Sequence, residues 1–122
     1  MSVRGIRGAI TVEADDPDLI LVATKELLKA ILHANPELQT EEIASAFFTL
    51  TEDLVSVHPA LAARQMGWEH VPMMCAREIP VPGSLSHCIR ILIQWNTDSL
   101  QADINHIYLR KAVSLRPDLV VS

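Results

Sequence analysis

Two segments of this chain carry side chains of contrasting character at alternate positions, a pattern that predicts β-strands. Residues 88–97 are the clearer case. One predicted face holds Ile89, Ile91, Ile93 and Trp95, and the other holds Cys88, Arg90, Leu92, Gln94 and Asn96. Residues 3–12 predict a second strand, in which Arg7 lies between the small residues Gly5 and Ala9 on one face. These small neighbours leave room for a ligand beside the Arg7 side chain.

A long amphipathic helix of about 18 residues is predicted to begin at residues 16–18. Asp16 suits the N-cap, Pro17 the first helical position, and Asp18 the positive end of the helix dipole. Apolar residues then recur at spacings of three and four, at Ile20, Ala23, Leu27, Ile31 and Ala34. The pair Asn35-Pro36 is expected to end the helix.

The remaining elements are predicted to be short. Strands are expected over residues 46–51, 71–76 and 106–109, and Pro72 favours an edge position for the second of them. Short helical segments are expected over residues 40–43, 59–66 and 109–115. This order of elements predicts an α+β fold, in which a mixed β-sheet of four or five strands is covered by one long helix and several short ones.

Length and composition narrow the class of protein. The 122 residues suit one domain spanning residues 1–122, and residues from about 115 to 122 are expected to form a mobile tail. Hydrophobic residues make up 49% of the chain and charged residues 20%, a balance that leaves apolar surface on a small domain and favours an oligomer. The net charge of -5 and the aromatic content of 4% disfavour RNA or DNA binding.

The sequence points to a cytoplasmic protein. No apolar run approaches the roughly 20 residues that a membrane helix needs, and the N-terminal stretch has charges within its apolar part. Cys75 and Cys88 are too far apart for a CxxC pair and have no cluster of histidines beside them. A disulfide or zinc site is therefore disfavoured, and reduced thiols are expected.

Two arginines on predicted strands are candidates for binding an anion. Arg90 lies in a strand whose other face is wholly apolar, and a buried guanidinium needs an anionic partner. The alternatives are an edge position that lets Arg90 reach water, or a salt bridge to Glu78. The same reasoning applies to Arg7, for which the alternative is a solvated arginine on an edge strand.

Glu78, Cys75 and Tyr108 are weaker candidates by pattern alone. Glu78 follows Cys75 by three residues, so strict alternation puts them on opposite faces, and they share a site only if the chain bends. Otherwise Glu78 is a surface acid and Cys75 a small buried hydrophobe. Tyr108 suits a core aromatic whose hydroxyl is hydrogen-bonded. The pattern as a whole suggests an anion pocket lined by Arg7 and Arg90, and it does not name a reaction.

Motifs along nearly the whole chain resemble the monofunctional chorismate mutases of the Bacillus type, the AroH class. In order, they are VRGIRGAITVE at residues 3–13, Thr51-Glu52-Asp53-Leu54, Pro59-Ala60 with Arg64, Gly67-Trp68, Cys75 with Glu78, Pro82-Gly83-Ser84-Leu85, Cys88-Ile89-Arg90, His106-Ile107-Tyr108-Leu109 and residues 115–119. The ordered set is specific, although each segment alone is weak. The chain departs from the family's best-known member at two positions. That member has an aromatic residue at the position of His58 and a lysine at the position of Leu61.

The resemblance implies an isomerase that converts chorismate to prephenate in phenylalanine and tyrosine biosynthesis, without a cofactor or metal. It also implies a homotrimer in which packed sheets form a pseudo-barrel and the active sites lie between subunits. Arg90 would contact a carboxylate and the ether oxygen, and Glu78 with Met74 and Cys75 would hold the ring hydroxyl. The other implied contacts to the dianion come from Arg7, Tyr108, Arg64, Leu115 and the C-terminal Arg116.

The chemistry of the substrate fits these residue types. A concerted pericyclic shift requires no nucleophile and no proton transfer. Arginine clamps can hold the flexible side chain over the ring, and the Arg90 guanidinium can offset negative charge growing on the ether oxygen. Two rival functions use a similar arginine pocket: a non-catalytic trimeric binder of small carboxylates, and a small trimeric enamine or imine deaminase.

Overall fold

A five-stranded mixed sheet forms the centre of the molecule, which a computed structural model describes over residues 2–115. The strands in chain order are β1 (Ser2–Thr11), β2 (Ile43–Leu50), β3 (Met73–Arg77), β4 (Cys88–Thr97) and β5 (Ile107–Tyr108). They lie side by side in the order β3-β2-β4-β1-β5. The pairs β1–β4 and β2–β4 are antiparallel, whereas β2–β3 and β1–β5 are parallel. The predicted α+β fold with a mixed sheet is confirmed.

The longest helix, α1 (Pro17–Ala34), has 18 residues, as its sequence pattern predicts. The Asp16 carboxylate caps it by accepting a hydrogen bond of 3.0 Å from the Leu19 amide. A second helix, α2 (Ala60–Gln65), is followed by Gly67, whose φ of 93° is a conformation that favours glycine. The short 3₁₀ segments are Thr40–Glu42, Gln101–Asp103 and Arg110–Leu115. Within residues 2–115, no helix combines the length and apolar character needed to cross a membrane.

The two faces of the sheet differ in what covers them. On one face, the apolar side chains of β4 are buried together with those of α1 and form the main core. The other face, called the open face below, includes Arg7, Phe47, Met74, Arg90 and Leu92. Of these, Phe47, Met74 and Leu92 are exposed apolar side chains. The alternation read from residues 88–97 therefore separates the core from a partly apolar open face.

The structure corrects one expectation about strand position. The alternative interpretation of Arg7 placed it on an edge strand, but β1 lies between β4 and β5. The Arg7 side chain is nevertheless exposed. β3 is an edge strand, as Pro72 predicts, and it begins one residue after that proline. The Pro72 carbonyl still accepts a hydrogen bond of 2.9 Å from the Ala46 amide.

Gly8 marks a close approach between β1 and α1. A Cβ atom at this position would lie 2.9 Å from Ile31 Cδ1 and 3.1 Å from Ile91 Cγ2. Gly8→Ala is therefore expected to lower the free energy of unfolding by about 1–3 kcal/mol through overpacking, as measured by chemical denaturation. Gly5→Ala is the matched control, because its added Cβ would lie at an ordinary 3.6 Å from Leu92. Equal losses in the two variants would contradict the prediction.

Candidate active site

A row of side chains crosses the open face at the level of Arg90. The strand register places Thr49 of β2 beside Arg90 of β4, Arg90 beside Ala9 of β1, and Ala9 beside Tyr108 of β5. Arg90 and Tyr108 are therefore separated only by Ala9, which has the small side chain that the sequence pattern singled out. This arrangement brings together two residues that are 18 positions apart in the chain.

Glu78 lies against Arg90 from the neighbouring edge of the sheet. Its amide donates to the Leu50 carbonyl at 2.9 Å, which extends the pairing of β2 one residue beyond the end of β3. Its Oε2 is 3.6 Å from Arg90 Nε, and the Thr49 hydroxyl donates to the same carboxylate oxygen. The salt bridge given above as an alternative for Arg90 is therefore present.

The ion pair does not satisfy the whole Arg90 side chain. Arg90 Nε is buried and has no hydrogen-bond partner among the described residues. A buried donor without an acceptor costs free energy, about 1–3 kcal/mol for a typical group. The guanidinium thus retains a donor that a ligand can use.

Tyr108 presents a second unsatisfied group in the same row. Its ring is 6% exposed and packs with Ala9, Cys88 and Ala112, against which Leu115 is partly buried. Its hydroxyl has no hydrogen-bond partner within residues 2–115. The general expectation of a hydrogen-bonded hydroxyl is therefore not met inside the described chain. Two buried polar atoms without partners, Arg90 Nε and Tyr108 Oη, belong to residues on either side of Ala9.

Arg90 and Glu78 line a cleft of about 230 Å³. Its other walls come from residues 51–53 and from the loop of residues 79–86. The loop contributes the exposed apolar side chains Ile79 and Val81, so the cleft combines apolar surface with one cation and several acids. A lining of this mixed kind is typical of a site for a small organic molecule.

Tyr108 is in the same row as Arg90 but does not line this cleft, and several other residues that the resemblance assigned to the site also lie outside it. Met74 and Arg7 are on the open face, but in the row next to that of Arg90. In that row Met74 pairs with Phe47, and Arg7 pairs with Leu92. Arg64 is exposed on α2. Cys75 is half-buried and packs against the main core, so it points away from Glu78, as strict alternation predicts. Leu115 ends the last 3₁₀ segment, and Arg116 lies outside the described residues.

The Cys88 thiol, two residues before Arg90, is unreactive. Burial raises the pKa of Cys88, and the neighbouring Arg90 charge only partly opposes that effect. A buried neutral thiol is a poor nucleophile. Cys88 is therefore a packing residue of the small buried cluster formed by Ala9, Cys88, Tyr108 and Ala112, called the Ala9–Tyr108 cluster below.

Thr49 has no role that its sequence pattern predicts, and Thr51 and Asp53 stand out in the sequence only as part of a motif. In the structure Thr49 contacts Glu78, and Thr51 and Asp53 line the cleft. The only signal available in the sequence was the clustering of short polar residues around 49–53, which is common in loops.

Comparison with known proteins agrees with the motifs. The family model described as chorismate mutase type I matches residues 3–119. Chorismate mutase AroH of Thermus thermophilus is 59% identical over 117 residues, which is 96% of each chain, and that of Bacillus subtilis is 45% identical, over 98% of this chain and 94% of its own. A solved chorismate mutase from Clostridium thermocellum matches with a TM-score of 0.87 at 45% identity, covering 90% of this chain and 97% of that one. The chain therefore belongs to the chorismate mutase type I family.

Proposed function

We propose that this chorismate mutase, an isomerase of aromatic amino-acid biosynthesis, rearranges chorismate to prephenate at the cleft of Arg90 and Glu78. The observation that supports this location is the pair of unsatisfied buried atoms, Arg90 Nε and Tyr108 Oη, on either side of Ala9. Both atoms can donate hydrogen bonds. A substrate with two carboxylates and an ether oxygen supplies the acceptors that they lack.

Arg90 has the central role in the proposed mechanism. Its guanidinium contacts a carboxylate and the ether oxygen, where negative charge grows as the C–O bond breaks ahead of C–C bond formation. A fixed cation in a partly buried position stabilises that charge more than water does, because it need not reorganise during the reaction. Glu78, 3.6 Å away, keeps the guanidinium oriented and faces the partial positive charge on the ring.

The remaining contacts hold the substrate in its folded, chair-like conformation. Tyr108 and Arg7 bind carboxylates, which fixes the side chain over the ring. Met74 and Cys75 lie beside the ring hydroxyl. Because the Cys75 side chain packs against the core, its contribution comes from the main chain.

We further propose that three copies assemble through their open faces, with packed sheets forming a pseudo-barrel. Met74, Phe47 and Leu92 are neighbours across three strands and are 65%, 38% and 39% exposed. An exposed apolar row of this kind favours a subunit interface. Arg7 lies next to Leu92 in the same row, so a neighbouring copy would bring Arg7 and Met74 to sites between subunits.

Free thiols support a cytoplasmic location for the enzyme. Cys75 and Cys88 are both unpaired. Reduced cysteines persist in the cytoplasm, where disulfides are rare. The net charge of -5 disfavours nucleic acid as a partner. The proposed partners are chorismate, prephenate and further copies of the chain, and the dianions need only the local cations of the cleft.

A turnover assay tests the proposed function directly. Purified protein is mixed with chorismate, and the loss of chorismate absorbance is followed together with the appearance of prephenate. We expect catalytic turnover without added metal or cofactor. A carboxylate-binding protein would leave the absorbance unchanged at substoichiometric protein, and an enamine or imine deaminase would be inert toward chorismate, so either result would contradict the proposal.

Arg116→Ala is expected to raise KM with little change in kcat. The reason is that a residue covering the substrate binds the ground state and the transition state alike. Arg116 follows Leu115, which packs against the Ala9–Tyr108 cluster. Steady-state kinetics measure the effect, and Lys111→Ala, which removes an exposed cation from the same end of the chain, is the control. A large fall in kcat at unchanged KM would show that Arg116 acts in the chemical step instead.

A further inference from the structure

We propose that Asp53 is a positioning residue for Arg90, because it holds the backbone turn from which β4 begins. The inference rests on the proposed function, since it takes Arg90 as the residue that acts on the substrate. Asp53 itself is not required to touch the reacting atoms. Asp53 instead fixes the main chain directly at residue 87 and, through the Thr51 hydroxyl, at residue 88, two to three residues before Arg90.

The turn before β4 has a conformation that needs an anchor. His87 has a φ of 50°, in the left-handed region that residues other than glycine adopt only at a cost in free energy. Its amide points at Asp53, whose two carboxylate oxygens lie 3.2 Å and 3.1 Å from the His87 nitrogen. The His87 ring adds a further contact, with Nε2 at 3.7 Å from Asp53 Oδ2.

Thr51 extends the anchor to the first residue of β4. The Thr51 hydroxyl donates to Asp53 Oδ1 at 2.5 Å and accepts from the Cys88 amide at 3.0 Å. The Thr51 amide in turn donates to the Cys88 carbonyl at 3.1 Å. Two consecutive amides, those of His87 and Cys88, are therefore held by one Asp53–Thr51 unit.

Asp53 is held as a carboxylate in this arrangement. Burial acts to raise its pKa, but the hydrogen bonds from the Thr51 hydroxyl and the His87 amide outweigh burial and keep the pKa below its usual value. A charged acceptor makes a stronger hydrogen bond to an amide than a neutral one does. The anchor is thus at full strength at neutral pH.

The loop that carries Asp53 is itself fixed to other parts of the fold. Asp15, from the connection between β1 and α1, accepts hydrogen bonds of 3.0 Å from the amides of Val55 and Ser56. Arg77 Nη1, at the end of β3, donates to the carbonyls of Thr51 and Leu54 at 2.9 Å and 2.6 Å. Through Asp53, the start of β4 is therefore held in a fixed position relative to Asp15 and to the end of β3.

The hydrogen bond from the His87 amide to Asp53 also fixes one end of the loop that lines the cleft. Residues 79–86 run from Glu78, held by the Leu50 carbonyl, to His87, held by Asp53. Removal of the Asp53 carboxylate leaves the His87 amide without that acceptor and lets the turn relax out of its left-handed conformation. The start of β4 and the cleft loop then shift together, and Arg90 moves with them. Small misplacements of a catalytic group are costly to the chemical step.

The test compares Asp53→Ala in two backgrounds, the natural chain and His87→Gly. We expect Asp53→Ala alone to lower kcat about 10-fold while KM changes less than about twofold, since misplacing Arg90 affects the transition state most. His87→Gly alone should keep kcat near that of the natural chain. In the His87→Gly background, Asp53→Ala should cost only about twofold, because glycine adopts a positive φ without an anchor.

Two controls make the outcomes distinct. Glu69→Ala removes an exposed acid elsewhere and should leave kcat unchanged. If Asp53→Ala retains the natural kcat while Arg90→Ala loses it, Asp53 has no positioning role. The proposal is equally overturned if His87→Gly gives no rescue although both Asp53 variants are folded by circular dichroism. Full activity of Arg90→Ala would instead overturn the proposed function.

Asp53→Asn covers the case in which Asp53→Ala does not fold. Asp53→Asn keeps the shape of the side chain but weakens the acceptor, so kcat should fall about threefold in the natural chain and recover in the His87→Gly background. An Asp53→Asn enzyme with unchanged kcat in both backgrounds would reject the role of Asp53.

Discussion

Arg90→Ala is expected to lower kcat at least about 100-fold, by analogy with the removal of a single donor that stabilises an oxyanion. The substitution removes the cation beside the ether oxygen, where charge develops in the transition state. It also leaves Glu78, now 3.6 Å from the guanidinium, without its cationic partner in the cleft. Chorismate turnover at saturating substrate measures the loss, and thermal unfolding of the same sample shows whether the variant is folded.

Arg90→Lys and Arg4→Ala are the informative companions to this variant. Lysine keeps the positive charge but lacks the planar fork that contacts two oxygens, so Arg90→Lys should also lose most of its turnover. Arg4 donates from Nε to the Ser99 carbonyl at the other end of the sheet, and its removal should leave kcat unchanged. An Arg90→Ala enzyme that kept most of its turnover would refute the assigned role.

Leu92→Glu is expected to convert the proposed trimer to monomers and to lower activity about 100-fold or more. Leu92 lies on the central strand β4, at the end of the exposed apolar row on the open face, beside both Phe47 and Arg7. A carboxylate placed there loses its hydration when the apolar faces meet, which costs several kcal/mol per interface. Activity should fall with assembly because the proposed sites lie between subunits. Light scattering gives the mass, and the chorismate assay gives the activity.

Val22→Glu is the matched control for this charge. Val22 is 60% exposed, but it lies on α1, on the opposite side of the molecule from the open face. The Val22→Glu substitution should leave both the mass of the assembly and its chorismate turnover unchanged. A Leu92→Glu protein of unchanged mass would place the interface elsewhere. A monomeric Leu92→Glu protein with full activity would show that one chain contains a complete site.

The candidate site was only partly predictable from the sequence. Pattern alone identified Arg7 and Arg90 as strand cations and Glu78 and Tyr108 as weaker candidates, and the resemblance supplied their roles. The structure brings Arg90, Glu78 and Tyr108 into one region. Pattern alone did not find Asp53 or Thr49, because short polar residues in loops are common and their partners are distant in the chain. Asp53 and His87 are 34 residues apart. The substrate-binding and catalytic roles of all these candidate site residues remain predictions.

The sequence by itself determined the elements whose causes are local. Asp16 and Pro17 start α1 and Asn35 ends it, and alternation over residues 88–97 gives β4 with the same bounds as the structure. Each of these signals depends on a few neighbouring residues, so it can be read without knowing the fold.

Only the tertiary structure decided the order and register of the strands. The sequence allowed an edge position for β1, whereas the fold places β1 between β4 and β5 and so puts Tyr108 next to Ala9. The same register sets Glu78 against Arg90. A period of two fixes which face a side chain occupies, but it leaves open which strand lies alongside. Pairing between distant strands depends on packing of the whole core, and therefore the site could be assembled only in three dimensions.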